Sequence, residues 1–227
     1  MCQQHKARAI FKMYTVSVNH RKSNIEILLW TYSTDCIERM ETMTIGEEWK
    51  KDGYVMRSAQ PEDMNQYYAE NFSPLDKEVA RLTGCKEVFS KEEVDSFFLK
   101  SIGDTNRYFF LIFSPDGQIV GESIINQIDW DMRCANFRIC LFRAAQRGKG
   151  IGTWAVEITR DFAFAKLKLH RLELDVFSFN QRAQKVYQKA GFQIEGILRD
   201  AIRDGEQYAD DILMAILEDE WRRIKGL

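Results

Sequence analysis

Hydrophobic and polar positions in this chain alternate between two periodicities, which predicts strands mixed with helices. Apolar residues at every second position, or in short unbroken runs, predict strands over residues 54–57, 107–113, 118–128, 135–142, 172–176, 192–198 and 208–217. The turn signal Ser114-Pro115-Asp116-Gly117 joins two of these runs directly. Because short connections join antiparallel neighbours, we predict an antiparallel meander over residues 107–142.

Helical spacing and capping signals predict helices around these strands. The predicted helices begin near residue 60 and cover 75–82, 90–102, 151–169, 180–190 and 218–224. Ser90 and Glu93 have the spacing of a capping box. In the helix at 151–169, Trp154 and Phe162 share an apolar face that we expect against the sheet, whereas Arg160 is expected to face water.

The first 42 residues have a different pattern. The apolar run at 13–18 predicts a strand, the run at 25–30 fits a strand or a helix, and the polar residues 19–24 predict a turn between them. Two runs this short do not supply a core of their own. We therefore predict a loosely attached N-terminal extension over residues 1–42 and one larger domain over residues 43–227.

Composition and charge remove several classes of function. Hydrophobic residues make up 45% and charged residues 29% of the 227 residues, as in ordinary globular proteins, and the net charge of −2 gives no reason to expect nucleic acid or membrane partners. Five cysteines without a C-x-x-C pair favour a reducing, cytoplasmic location, and three histidines argue against a metal site. No apolar run reaches the roughly 18 residues that a membrane span needs, and the N-terminus does not look like a secretory signal.

A glycine-rich loop lies between the predicted strand 135–142 and the predicted helix 151–169. Glycine lets backbone N–H groups approach a ligand closely, and a helix N-terminus favours an anion. Arg143 adds positive charge just before the loop. The loop is therefore predicted to bind a phosphate or pyrophosphate. The residues of this predicted site are Arg147, Gly148, Lys149, Gly150, Ile151 and Gly152.

Two kinds of phosphate loop can be compared with this stretch. The nucleoside-triphosphate loop fails, because Gly148-Lys149 is followed by Gly150 where Ser or Thr is required. The dinucleotide fingerprint G-x-G-x-x-A fits residues 150–155, with acidic residues about 20 positions later. That fingerprint normally opens a parallel sheet, whereas this loop follows an antiparallel meander. Because the local pattern fits the fingerprint although its place in the chain does not, a dinucleotide-binding oxidoreductase is kept as an alternative hypothesis.

Two sequence blocks resemble those of the GCN5-related N-acetyltransferases (GNAT superfamily). The first reads R-x-x-G-x-G at 147–152, and the second reads N-x-x-A-x-x-x-Y-x-x-x-G-F at 180–192. Their spacing is most similar to the ribosomal-protein-alanine and spermidine acetyltransferase branch. The resemblance spans roughly residues 43–221 and implies an enzyme that transfers the acetyl group of acetyl-CoA to a primary amine. A non-catalytic acyl-CoA-binding protein is a further alternative.

The resemblance also implies a fold and a place for the cofactor. The fold is α/β (α+β), with a mixed central sheet of about six to seven strands, mostly antiparallel, and helices on both faces. One parallel pair, 135–142 with 172–176, splays apart to admit acetyl-CoA as co-substrate, without a metal. The residues implied in cofactor contact, besides the glycine loop, are Cys140, Leu141, Phe142, Asn180, Ala183 and Tyr187.

Acetyl transfer to an amine requires groups that move protons. Tyr187 is the predicted acid for the leaving thiolate; its alternative role is that of a packed core tyrosine. Glu122 is the candidate base, although Asp129, Asp175 and Asp211 are also carboxylates on or beside predicted strands. The acceptor is a protein N-terminus or a small-molecule amine, and the lack of an acidic cluster weighs against a polyamine. A homodimer is left open.

Overall fold

The computed structural model describes residues 12–20, 23–31 and 47–227, which belong to two compact units, Met1–Ile45 and Gly46–Leu227. In the first unit, β1 (Lys12–His20) and β2 (Ser23–Thr31) pair antiparallel from Lys12 opposite Thr31 to His20 opposite Ser23. The run at 25–30, which fitted a strand or a helix, is therefore a strand. The centre of the predicted turn, at residues 21–22, lies outside the described residues.

The second unit contains an eight-stranded sheet in the order β3-β4-β5-β6-β7-β8-β10-β9. All neighbours pair antiparallel except β7 and β8, which are parallel. This topology confirms the predicted mixed sheet with one parallel pair. The strands are β3 (Glu48–Lys51), β4 (Tyr54–Ser58), β5 (Tyr108–Phe113), β6 (Ile119–Asp129), β7 (Cys134–Leu141), β8 (Arg171–Phe177), β9 (Gln193–Asp204) and β10 (Gln207–Leu217).

The sheet has one strand more than the upper end of the predicted six to seven, because β3 is only four residues long. A strand of that length shows no clear period. It pairs with β4 through a turn at Asp52-Gly53, where both residues have positive φ angles of 50° and 81°. Asp-Gly is a strong signal for a tight hairpin turn, so this dipeptide could have revealed the extra edge strand.

Helices cover both faces of the sheet, as predicted. On one face, Tyr67 and Phe98 pack against Leu111 of β5. On the other face, Trp154 and Ala155 pack against neighbours that include Ile112 of β5. The helices are α1 (Met64–Asn71), α2 (Lys77–Thr83), α3 (Lys91–Ile102), α4 (Ile151–Ala165), α5 (Gln181–Lys189) and α6 (Glu218–Lys225), of which α1, α2 and α3 lie on the first face.

Helix α4 departs from its prediction in two ways. It ends at Ala165 rather than at residue 169, because Lys168 has a positive φ of 56° and the Leu169 N–H turns back to the Ala163 carbonyl at 3.1 Å. Arg160, expected to face water, is buried: its guanidinium donates to the carbonyl of Ala190 at 2.6 Å. The end of α5 covers the side of α4 that carries Arg160, which the sequence pattern assigned to solvent.

Candidate active site

The parallel strands β7 and β8 separate partway along their length. They are paired only from Cys134 opposite Arg171 to Asn136 opposite Glu173. On its other edge β7 stays paired with β6 as far as Leu141. Residues 137–141 of β7 therefore have one edge without a strand partner. This is the splay that the family resemblance implied, and its unpaired backbone groups are free to bind an extended ligand.

A cleft of about 680 Å³ opens at this splay, between the glycine loop, α5 and the α1–α3 side of the sheet. It brings together side chains that are far apart in the sequence. The predicted site residues that line it are Glu122, Cys140, Leu141, Phe142, Arg147, Gly148, Gly150, Gly152, Asn180, Ala183 and Tyr187. Both sequence blocks therefore meet in one cleft.

Two predicted cofactor-binding residues, Lys149 and Ile151, do not line the cleft. The Lys149 ammonium donates to the side-chain oxygen of Gln146 at 3.2 Å. The Ile151 side chain is 2% exposed and packs in the same cluster as Trp154, because helical spacing directs both into the core. Only the backbone N–H of Ile151, in the first turn of α4, is available for the predicted ligand contact.

The glycine loop has the geometry of an open anion site. Gly148 and Gly150 have φ angles of 78° and 79°, and a Cβ at either position would meet no protein atom within 4 Å. Gly150 is the N-cap residue of α4 and supplies no side-chain hydrogen bond to the first turn. The amides of that turn and the positive end of the helix dipole therefore remain available to an anion. These features fit the pyrophosphate of acetyl-CoA.

Arg147 contacts two acidic residues that were not predicted from the sequence. Its guanidinium forms an ion pair with Glu78 and lies 4.0 Å from the carboxylate of Asp76, both at the start of α2. Asp76 also caps that helix, accepting hydrogen bonds from the amides of Glu78 and Val79. The loop arginine therefore ties the glycine loop to α2. The cap was readable from the sequence, but no local signal indicated its contact with residue 147.

Helix α5 positions Asn180 and Tyr187. The Asn180 side chain accepts a hydrogen bond from the Ala183 amide at 3.2 Å, as expected for an N-cap. The Tyr187 ring is 7% exposed and lies 6.3 Å from Phe137 and 6.0 Å from Phe192, centroid to centroid. Burial, with smaller effects from Cys140 and Asp175, raises the pKa of Tyr187 above its usual value. The hydroxyl is therefore protonated at neutral pH and able to donate.

Glu122 is fixed in the cleft by a second tyrosine. The Tyr67 hydroxyl donates a hydrogen bond of 2.6 Å to one carboxylate oxygen of Glu122, and Tyr67 itself is 1% exposed. Burial raises the pKa of Glu122, while the Tyr67 hydrogen bond and the charge of Arg138 oppose the rise. A carboxylate with a raised pKa is a better proton acceptor near neutral pH.

The other candidate carboxylates occupy different places. Asp129 accepts hydrogen bonds from the amides of Asp131 and Met132, at 3.0 Å and 2.8 Å, and so serves the turn after β6. Asp175 lines the cleft. Asp211 lies on the neighbouring strand, where burial and the charge of Asp175 raise its pKa to about 6. Within the cleft lining, Glu122 and Asp175 are thus the two candidates that remain.

No helix within residues 12–20, 23–31 and 47–227 is long and apolar enough to cross a membrane. In the same ranges, no group of three or more His, Cys, Asp and Glu side chains is placed to hold a metal ion.

Comparison with known proteins identifies the family. The model of the acetyltransferase (GNAT) domain matches residues 54–193, more than half of the chain. The probable N-acetyltransferase YjcK of Bacillus subtilis is 31% identical over 157 residues, which cover 69% of this chain and 80% of that protein. The chain therefore belongs to the GNAT acetyltransferase family. It is an enzyme that transfers an acetyl group from acetyl-CoA to an amine.

Solved structures show the same fold. Spermidine N-acetyltransferase from Vibrio cholerae, in complex with CoA and spermine, superposes with a TM-score of 0.67 at 22% identity, covering 75% of this chain and 99% of that one. The ribosomal-protein-S5-alanine acetyltransferase from Vibrio fischeri gives a TM-score of 0.66 at 20% identity, covering 78% and 99%. At these identities the likeness establishes the fold and leaves the acceptor open.

The fold excludes the alternative of a dinucleotide-binding oxidoreductase. A dinucleotide fold needs a mostly parallel sheet whose first crossover carries the glycine loop. Here one pair of strands in the described sheet, β7 and β8, is parallel, and four strands of the sheet, β3 to β6, precede them in the chain. The match to G-x-G-x-x-A at 150–155 arises because both kinds of loop place glycines at a helix N-terminus.

Proposed function

We propose that acetyl-CoA binds with its pyrophosphate on the glycine loop and its pantetheine arm along the unpaired edge of β7. The support is the open loop at Gly148 and Gly150 and the end of β7–β8 pairing at Asn136. Cys140, Leu141 and Phe142 lie where the arm would run, and Asn180 and Ala183 face it from α5. When bound, acetyl-CoA supplies an activated acetyl thioester.

Tyr187 is the proposed proton donor to the departing thiolate. It lines the cleft, its raised pKa keeps the hydroxyl protonated, and no hydrogen-bond partner of that hydroxyl occurs among residues 47–227. A donor without a competing acceptor is available to a reacting atom. The packing of its ring against Phe137 fixes the direction of the hydroxyl.

Glu122 is the proposed proton acceptor for the amine. The observation that supports this role best is the 2.6 Å hydrogen bond from Tyr67, which orients the carboxylate inside the same cleft as Tyr187. A base on β6 and an acid on α5 then face the unpaired part of β7 from two sides. That arrangement lets one group take a proton from the amine while the other gives one to sulfur.

The test is the pH dependence of Glu122→Gln. The wild-type kcat/KM should fall as pH drops through the raised pKa of Glu122, because the protonated carboxyl cannot accept a proton. Glu122→Gln should lower kcat/KM by about 10²-fold at neutral pH and remove this acidic limb. Asp129→Asn, which alters a carboxylate serving a turn, is the matched control and should behave as wild type. An unchanged acidic limb in Glu122→Gln contradicts the assignment and would transfer the role to Asp175.

The domain boundary after residue 42 is also a proposal. Deleting residues 1–42 should leave acetyl-CoA affinity unchanged in calorimetry, since each proposed contact lies after residue 121. The described hydrophobic clusters likewise consist of residues within 47–227. A truncated protein that is insoluble, or that binds acetyl-CoA more weakly than the full chain, would place the boundary elsewhere.

The proposals on cellular location, oligomeric state and branch of the family come from the sequence. We propose a cytoplasmic enzyme from its cysteine content, without a metal, a nucleic acid or a membrane as partner. The ribosomal-protein-alanine or spermidine branch, and a homodimer, remain proposals of the same kind. The acceptor is proposed to be a protein N-terminus or a small-molecule amine.

A further inference from the structure

Arg138 is a cleft residue that the proposed mechanism does not use. It lies on β7, opposite Ile124 of β6 and two residues before Cys140, which is opposite Glu122. Alternation along a strand therefore puts Arg138 and Glu122 on the same face of the sheet. Arg138 is exposed, and it lines the cleft. Burial raises the pKa of Glu122 and of Tyr187, and the charge of Arg138 opposes both rises, so it acts on both proposed proton-transfer groups.

Arg138 also lacks an acidic partner, unlike the other arginines of the cleft. Arg147 and Arg182 both pair with Glu78. Over residues 47–227, no carboxylate oxygen lies within the 4.0 Å of an ion pair with Arg138. An arginine left unpaired inside a cleft, next to reactive groups, is suited to a planar anion such as a carboxylate.

The anion for Arg138 is not the pyrophosphate proposed for the glycine loop. Arg138 precedes the end of β7 by three residues, which at ~3.3 Å per residue amounts to ~10 Å, and the loop glycines lie further on. Arg138 also comes only two residues after Asn136, where β7 and β8 separate. The anion that binds Arg138 is therefore a group of the acceptor and not of the cofactor.

The α1–α3 side of the cleft is lined mainly by apolar side chains, and its carboxylate Glu93 is paired with Lys86. Helices α1, α2 and α3 and the segments between them line the same side of the cleft with aromatic and aliphatic groups, and Phe97 is 41% exposed. The apolar members of this wall include Phe72, Leu82, Phe89, Val94 and Phe97. An acceptor that fills this space has an apolar body. A polyamine, with several positive charges, would meet Arg138 and this wall unfavourably.

We infer that the acceptor is a free α-amino acid with an apolar side chain. Its carboxylate binds Arg138, its amine faces Glu122, and its side chain packs on the wall of α1–α3; the inference rests on the proposed function. In the reaction, the amine nitrogen bonds to the acetyl carbon while the bond from that carbon to sulfur breaks. Glu122 takes the proton of the amine, and Tyr187 gives a proton to sulfur.

A matched series of acceptors tests this inference. L-Phenylalanine, L-phenylalaninamide and phenethylamine share the ring and the amine, and only the first carries a carboxylate. We expect the wild-type enzyme to acetylate L-phenylalanine with the highest kcat/KM. Arg138→Gln should lower that value by about 10- to 100-fold, mainly through KM, and leave the other two acceptors unchanged. Arg199→Gln, an exposed arginine of β9 outside the cleft, is the control and should change none of them.

Comparing variant with wild type on each acceptor cancels the intrinsic reactivity of the three amines. Equal losses on all three acceptors, or no loss on L-phenylalanine, overturn the role of Arg138. Preferred turnover of L-phenylalaninamide, which mimics a peptide N-terminus, or of spermidine overturns the inference while the acetyltransferase function stands. Failure to acetylate any amine, with no acetyl-CoA binding in calorimetry, overturns the proposed function as well.

Discussion

Gly150→Val is expected to abolish acetyl-CoA binding while the protein stays folded. Gly150 has a φ of 79°, and the space where its Cβ would project holds no protein atom within 4 Å. A valine side chain there occupies the place proposed for the pyrophosphate and pushes the backbone away from its left-handed conformation. Such strain costs about 1–3 kcal/mol, less than the 5–15 kcal/mol stability of a typical domain.

The measurement is calorimetry with acetyl-CoA, beside a thermal melt of each variant. Gly117→Val is a close control, because Gly117 also has a φ of 79° with no protein atom within 4 Å of its Cβ position, but it lies in the turn between β5 and β6. We expect Gly117→Val to share the loss of stability and to keep its affinity. Unchanged affinity in folded Gly150→Val would show that the glycine loop does not bind the cofactor.

Tyr187→Phe is expected to lower kcat with little change in acetyl-CoA affinity. If the hydroxyl protonates the departing thiolate, its loss removes an interaction made mainly in the transition state. General acid catalysis is worth about 10²- to 10⁴-fold, and a thiolate is a good leaving group, so the lower end of this range is expected. The ring keeps its packing with Phe137 and Phe192, so the melting temperature should stay nearly the same.

Turnover at saturating acetyl-CoA, measured beside calorimetric affinity, separates the roles of Tyr187. Tyr208→Phe, which removes the hydroxyl of a 66% exposed tyrosine on β10, should match the wild type in both measurements. Unchanged turnover in Tyr187→Phe would make the tyrosine a packed core residue. Normal turnover with weakened affinity would make it a binding residue. Reduced turnover with retained affinity supports the proton donor.

Much of the fold was readable from the sequence because its signals are local. The periods of the strands and helices, the Ser90 capping box and the turn before Gln118 depend on neighbouring residues, and each appears in the structure near its predicted place. The helix that follows the glycine loop supplies the crossover that makes β7 and β8 parallel. The resemblance of the two motif blocks, 147–152 and 180–192, to the GNAT family then predicted where the cofactor cleft lies.

Contacts between residues far apart in the chain could not be predicted from the sequence. The pairing of Arg147 with Glu78 spans 69 positions, and the hydrogen bond from Tyr67 to Glu122 spans 55. Nothing in the local pattern of either segment indicates its partner. Arg160 shows the same limit, since a polar residue on a helix was expected to face water until the end of α5 was seen to cover it. Such pairs depend on tertiary packing, which a single sequence does not specify residue by residue.

The most direct test of the proposed site is a crystal structure of the protein with CoA. We predict the pyrophosphate on the amides of residues 148–152, the pantetheine arm beside Cys140 to Phe142, and the thiol within hydrogen-bond reach of the Tyr187 hydroxyl. CoA bound elsewhere, or with its thiol on the far side of the cleft from Tyr187, would contradict both the binding mode and the assigned acid.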